Sequence, residues 1–302
     1  YTDIDKPSDY FNTKLYTGTS GTINITGLDF QPDFVWCKNR TSANRHALFD
    51  SVRGATKRLR TDGTDAEVAD PDTLTSFNSD GFTVGADAGN FGSNKNGDAF
   101  TSWNWKAGTS FTNDASATGI GTIDSTGSVN NDSGFSIVSY TGTGSNGTIK
   151  HGLNTAPKTV WVKCRNVGFN WTTGWNTGSS NFETMLKLNS TAAEEDYAPY
   201  FNDTNPTSSV FSVGNASNTN VVNNTYFAYC FAEKQGYSKI GSYTGNGSAS
   251  SGTFIYTGQK SAFIMIKRTD TTGSWEMYDA KREGFNPQVH ALYANGNNAE
   301  DN

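Results

Sequence analysis

The chain has 302 residues, carries a formal net charge of −6, and is 34% hydrophobic and 13% aromatic, with 32 glycines. Binding phosphates takes a clustered positive surface, which an acidic chain with only short basic runs lacks, so no nucleic-acid partner is expected. No apolar stretch approaches the ~18 residues that a membrane-spanning helix needs, so no membrane insertion is expected either.

Aromatic residues spaced by Ser, Thr, Asn and Gly suit short strands and tight turns rather than long helices, so the chain reads as all-β. The first strand signal is YFNTKLYTG at 10–18, which alternates and ends in a turn. Next comes PDFVWCKNR at 32–40, apolar on both faces in its middle and bounded by turn residues, as expected of a strand covered on each side. HALFDSVRG at 46–54 is a short aromatic strand, and TKRLR at 56–60 a solvated edge. TDAEVADPDTL near 64–74 is a candidate for a turn or two of helix. TLTSFNSDGFTVG at 73–85 reads as a turn followed by a strand, and SWNWKAG at 102–108 closes the series.

The series then recurs. GFSIVSYTGTGSNG at 134–147, PKTVWVKCR at 157–165, NWTTGW at 170–175, TNPTSSVFSVG at 204–214 and YCFAEKQG at 229–236 repeat it block by block, with TAAEED at 191–196 as a second short helix candidate. A third round starts with GYSKIGSYTGNGS at 236–248, SAFIMIKR at 261–268 and SWEMYDAKREG at 274–284, and has no counterpart of the later blocks. In this register His46, Trp171 and Trp275 share one position.

The expected organisation is a set of tandem β-sandwich domains, jelly-roll or lectin-like: repeat 1 over 1–108, a Gly/Ser/Thr/Asn-rich linker over 109–133, repeat 2 over 134–236 and repeat 3 over 237–302. A weak hairpin at GIGTIDSTGSV is the alternative within the linker. Repeat 3 is expected to be incomplete, either because the sequence is truncated or because a partner supplies the missing strands. Repeats 2 and 3 abut almost without spacer, which predicts the stiffer junction.

Few residues point to chemistry. Cys37, Cys164 and Cys230 lie in apolar runs without paired spacing and read as small buried hydrophobes. His46, His151 and His290 have neither a nucleophile motif nor an i+4 partner for a metal, and His46, standing where the other repeats have Trp, reads as core. The acidic residues Asp62, Asp65, Glu67, Asp70 and Asp72, and Glu194, Glu195 and Asp196, are candidates for a glycosidase pair, with solvated loops as the simpler reading. The 62–72 run could also hold Ca²⁺, although it lacks the EF-hand spacing. No cofactor is expected. Residues repeated between units read as scaffold, so ligand candidates belong to the segments that differ, 85–100 and 189–203. In the latter, Tyr197, Tyr200 and Phe201 could stack on a glycan or pack back onto the sheet.

The blocks YFNTKLYTGT, ITGLDFQPDFVWCKNR, HALFDSVRGATKRL, LTSFNSDGFTVG and WNWKAG, with their second copies, resemble a repeated domain of tail-fibre and other virion structural proteins of marine tailed bacteriophages. The resemblance covers nearly the whole chain and brings no catalytic motif. It implies a non-enzymatic protein located in the virion and extracellular, contacting other virion proteins and host surface glycan, and a homo-oligomer, trimeric by analogy with tail fibres. A capsid decoration or a purely structural shaft is the alternative. A glycan-depolymerising tailspike fits less well, because the short repeats of a β-helix are not seen.

Overall fold

The computed structural model describes residues 2–90, 92–178 and 181–301, and strands and turns make up nearly all of it. The first unit contains β1 (Phe11–Thr17), β2 (Ile23–Thr26), β3 (Phe34–Asn39), β4 (Ala47–Asp50), β5 (Lys57–Arg58), β6 (Val68–Ala69), β7 (Leu74–Asn78), β8 (Gly81–Val84) and β9 (Ala99–Trp105). It is a sandwich, with an inner sheet in the order β1-β9-β3-β4 over an outer sheet β2-β8-β7. All of β3 is buried because its two faces meet different cores. Val35 and Cys37 pack with Ile25, Phe82 and Val84 of the outer sheet, whereas Phe34 and Trp36 point the other way.

The second unit contains β10 (Thr109–Asn113), β11 (Ser125–Asn130), β12 (Phe135–Thr141), β13 (Gly147–Lys150), β14 (Thr159–Cys164), β15 (Thr172–Asn176), β16 (Asn181–Lys187), β17 (Glu195–Asp196), β18 (Val210–Val213) and β19 (Thr225–Phe231). Its inner sheet runs β10-β11-β12-β19-β14-β15-β16-β17, and its outer pair is β13-β18. The run β12-β19-β14-β15 repeats β1-β9-β3-β4 of the first unit. The segment 109–133 is therefore not a free linker: β10 and β11 extend this sheet. Its few apolar side chains decide the matter, since Ile123 and Val129 are buried in the second unit's core. Between β10 and β11 the one-turn helix α1 (Ala115–Thr118) is capped by the Asp114 carboxylate, which accepts from the Ala117 amide at 3.0 Å.

The helices expected at 64–74 and 191–196 do not form; β6 and β17 lie there, and the other described α-helical turn is α2 (Ser217–Asn220). The third unit holds β20 (Phe263–Lys267), β21 (Trp275–Asp279) and β22 (Leu292–Tyr293), in that sheet order. Residues 237–262 carry no strand. The first strands β1 and β12 are held by the closing strands β9 and β19, and the described residues offer 237–244 no such partner.

The repeated Tyr-Thr-Gly has a definite job in the first two units. Tyr16 and Tyr140 each donate a phenolic hydrogen bond of 2.7 Å, to the carbonyls of Ser93 and Thr219. Just beyond the glycine, the Thr19 and Thr143 amides each donate at 2.8 Å to the side-chain oxygens of Asn94 and Asn220. A Cβ at Gly18 or Gly142 would stand 2.1 or 2.2 Å from the Lys95 or Val221 carbonyl oxygen, so only glycine lets the two loops close.

The units do not follow one another as separate beads. Phe34, Trp36 and Trp103 of the first, Ile137, Trp161 and Tyr229 of the second, and Trp275, Met277 and Leu292 of the third belong to one buried cluster. Around it three contacts recur in a cycle. Trp171 Nε1 donates to the Arg60 carbonyl at 2.7 Å, Trp275 Nε1 to that of Lys187 at 3.0 Å, and His46 Nε2 to that of Tyr293 at 2.8 Å. Because His46 Nδ1 accepts from Trp36 Nε1 at 2.8 Å, its proton sits on Nε2.

The lysines opposite these rings act alike: Lys163 Nζ donates to Thr64 O at 3.0 Å, Lys267 to Thr191 O at 3.4 Å and Lys38 to Asn297 O at 3.2 Å. Finally the amides of Glu67, Glu194 and Glu300 donate to the carbonyls of Arg165, Thr269 and Arg40. The second unit grips the first, the third grips the second, and the first grips the third.

The gripped residues keep one spacing, 60/64/67, 187/191/194 and 293/297/300, and one short signature, T-D-A-E, T-A-A-E and N-N-A-E. Arg165–Glu67 and Arg40–Glu300 ion pairs of 3.0 and 2.7 Å reinforce two seams. The seam between units two and three, expected to be the stiffest, has Thr269 in place of the arginine.

The buried clasps make stability depend on pH. Burial pulls His46 and His151 down from 6.5 to about 4, so both are neutral in the fold and protonate more readily once unfolded. Their contribution is complete above pH 6.5 and is lost as pH falls towards 4. At pH 5 the loss is about 2 kcal/mol per histidine. Urea unfolding is expected to show a lower midpoint at pH 5 than at pH 7, and His46→Gln to flatten that dependence; an equal midpoint at both values would refute the role of the histidines. Lys38 and Lys163, drawn down to about 8 by burial, add stability as pH rises from 8 towards 10.

Candidate functional site

Of the two variable segments, 189–203 forms a recess. Glu195 and Asp196 of β17 pair with Met185 and Thr184 of β16, so the strand's two carboxylates leave on opposite faces of the sheet edge. The chain then turns back at Tyr197–Tyr200, a turn closed by the Tyr200 amide on the Tyr197 carbonyl at 3.0 Å. The amides of Gly214 and Ala216 pin this turn through the carbonyls of Tyr200 and Pro199, both at 3.0 Å. The result is a cleft of about 320 Å³ lined by Glu195, Asp196, Tyr197, Tyr200, Ala216 and Ser217.

The rings of Tyr197 and Tyr200 meet edge to face, with centroids 4.8 Å apart. Tyr197 is 49% exposed. Tyr200 is half-buried, its hydroxyl accepting from Asn218 Nδ2 at 3.2 Å. Burial and the neighbouring Glu195 charge push its pKa up to about 12, so it remains a neutral donor and acceptor. Glu195 is held by Lys187 at 2.9 Å. Phe201 does not join them. It is buried, edge to face with Phe182 at 5.2 Å, and belongs to the second unit's core, so its expected role as a glycan contact is corrected to packing. Sequence alone could not separate the three, because Tyr-Ala-Pro-Tyr-Phe has no period that marks which ring turns inward.

An exposed ring beside carboxylates and amide groups is the chemistry that holds a sugar: the ring covers C–H faces and the polar groups take hydroxyls. A family model described as Domain of unknown function (DUF7483) matches residues 6–302. The chain belongs to the DUF7483 family. No curated protein and no solved structure matches it.

Elsewhere in this DUF7483 chain the sequence's chemical candidates have structural partners. The acidic run at 62–72 is an ion-pair network: Asp62 and Asp65 hold Arg45 at 2.9 and 2.7 Å, Glu67 holds Arg53 and Arg165 at 3.2 and 3.0 Å, and Asp70 holds Arg58. Asp72 accepts from the Ala88 amide at 2.8 Å. Among the described residues no group of three His, Cys, Asp or Glu is placed to hold a metal ion. His151 is buried, accepting from the Leu153 amide and donating to the Thr207 carbonyl, both at 3.1 Å. Cys37, Cys164 and Cys230 are buried and free, and burial pushes the thiols of Cys37 and Cys230 up to about 12. In the other variable segment, 85–100, whose Phe91 lies outside the described residues, Asn94 is part of the scaffold shared with Asn220. No helix among the described residues is long and apolar enough to cross a membrane.

Proposed function

We propose that this DUF7483 chain is a non-enzymatic structural protein of a virion, acting outside the host as part of a tail fibre or similar appendage that spaces, or itself makes, contact with host surface glycan. The observation that carries this reading is the closed ring. Three repeats spend His46, Trp171 and Trp275, with Lys38, Lys163 and Lys267, on gripping one another, which suits a rigid body that presents loops outward. The resemblance of the repeated blocks supplies the virion context, and the Tyr197–Tyr200 cleft supplies a recess suited to a sugar. Because the inward faces are used up within one chain, a homo-oligomer would be built through the outer faces, and tandem copies would multiply weak contacts into avidity.

The test is to incubate the protein with candidate host cells or their surface polysaccharide and record retained protein and released reducing ends together. Saturable retention without reducing ends is the expected result. Released reducing ends would overturn the non-enzymatic reading, and absence of retention would leave a decoration or shaft role in its place. Within this reading, Tyr197→Ala is expected to weaken retention about tenfold, the loss of roughly one stacking contact, with only a small fall in Tm because the half-exposed ring gives up one edge-to-face contact, with Tyr200. A Tyr197→Ala protein retained as well as the parent would remove the cleft from consideration.

A further inference from the structure

The second unit carries an insertion that the first does without. Where the inner sheet of the first unit ends at β1, that of the second continues past β12 through β11 and β10. The insertion lines one side of a groove of about 590 Å³, larger than the Tyr197–Tyr200 cleft of about 320 Å³. The end of β12, the turn after it and the start of β19 line the other side.

Both sides are pinned. On the insertion, the Asp124 carboxylate accepts from the Ala115 amide at 2.8 Å, and Asn113 Nδ2 donates to the Ile120 carbonyl at 2.9 Å. Thr122 Oγ1 accepts from the Thr148 amide at 2.9 Å. Across the groove, the bonds of the Tyr140 hydroxyl to Thr219 and of the Thr143 amide to Asn220 fix the turn. A ligand meets a surface that is already formed, so little ordering cost is left to binding.

The strand registers set the floor. Thr112 pairs with Thr126 and Thr126 with Ser139, so three hydroxyls stand in a row across β10, β11 and β12. Two residues along, on the same face, come Asp114, Asp124 and the cross-strand pair Thr141 and Thr225. These groups are not used up by the fold. Among the described residues the hydroxyls of Thr112, Thr126, Thr141 and Thr225 have no hydrogen-bond partner, and the bonds to Asp114 and Asp124 fall on Oδ1, leaving each Oδ2 open. No Lys, Arg or His is among the described residues of the lining.

We infer that this groove is a second glycan site, taking an unbranched neutral polysaccharide that lies across the strands. The inference rests on the reading of the protein as a glycan-contacting appendage and names the class of glycan. Neighbouring strands stand about 4.8 Å apart, close to the rise of one sugar along an extended chain, so successive sugars meet successive hydroxyls. Threonine hydroxyls both donate and accept, the open carboxylate oxygens accept from sugar hydroxyls, and the threonine methyls cover C–H groups. Two carboxylates without a cation beside them disfavour uronate, sulfate and phosphate glycans through like-charge repulsion. The Tyr197–Tyr200 cleft offers a ring to one sugar, whereas the groove reads a run of several.

The experiment titrates cellohexaose, mannohexaose and hexagalacturonate calorimetrically into the parent and into the Tyr197→Ala protein, which separates the share of the first cleft. Saturable binding of at least one neutral hexasaccharide is expected in both proteins, with hexagalacturonate at least tenfold weaker. The double variant Thr126→Val/Thr141→Val keeps the β-branched shape and the Tm, and should bind about tenfold more weakly through the loss of two hydrogen bonds. Undiminished binding by that variant, equal binding of hexagalacturonate, or no binding of either neutral hexasaccharide would overturn the groove. Host-cell retention that Tyr197→Ala weakens and the double valine variant leaves intact would likewise overturn the groove while sparing the appendage reading. Hexasaccharide binding at the groove without any retention on cells would spare the groove and overturn host contact.

Discussion

Asp50→Ala is expected to destabilise the protein by about 3–5 kcal/mol, the cost of breaking one partner out of a buried ion pair. Asp50 and Arg53 both have fully buried side chains, with Arg53 Nε 2.5 Å from the carboxylate. The other carboxylate oxygen takes the Arg53 amide at 2.8 Å, and Tyr229 from the second unit donates its hydroxyl at 2.8 Å. Burial works against the Arg53 charge, but Asp50, with help from Glu67, outweighs it and holds the guanidinium's pKa above its ordinary value. Removing Asp50 leaves that charge with the carbonyls of Lys57 and Leu48 and one longer carboxylate contact, to Glu67, and it takes the acceptor from a hydroxyl that bridges two units. Asp50→Leu combined with Arg53→Met should recover most of the loss, since replacing both charges leaves neither uncompensated. Urea unfolding of the single and double variants decides the point. A loss under about 1 kcal/mol for Asp50→Ala would mean that water reaches the pair.

Trp171→Ala should cost a similar amount, about 3–5 kcal/mol, through loss of a fully buried ring. The ring packs edge to face on Phe227 with centroids 5.5 Å apart and donates to the Arg60 carbonyl of the first unit. Trp171→Phe keeps most of the packing but leaves that carbonyl without its donor, a penalty of about 1–3 kcal/mol. The more telling outcome is the shape of the transition. Because the shared core and the cyclic clasps join all three units, either change should move one cooperative transition, with fluorescence and far-UV circular dichroism coincident. If the first unit kept its own midpoint while the second shifted, the ring would be a set of weakly docked domains.

The three-fold repetition, its strand blocks and the burial of Cys37, Cys164, Cys230 and His46 are legible in the sequence because alternation and internal copies report which positions face a core. The clasp signature is in view as well, but T-D-A-E, T-A-A-E and N-N-A-E are short and polar, so the first two read as short helices and the first also as part of a cation loop. Their backbone groups, not their side chains, do most of the gripping, and backbone contacts leave little trace in residue choice. The segment 109–133 departs from its expected reading for the reverse reason: three buried apolar residues, Ala115, Ile123 and Val129, are enough to seat a chain that composition marks as linker. At the cleft, the sequence separated variable from repeated segments, whereas the division of Tyr197, Tyr200 and Phe201 into exposed, half-buried and buried rings followed from a turn pinned by distant amides.

The sequence by itself determined that this protein is built from short strands, that one unit is written three times, and that each round opens on a segment ending in Tyr-Thr-Gly. Those are local matters of period and internal copying. Only the tertiary structure decided that the three units close into a ring around one aromatic core. Pattern shows that a face must be covered; it does not show which neighbour covers it, because apolar burial is non-directional and the partner is chosen by the geometry of the whole chain.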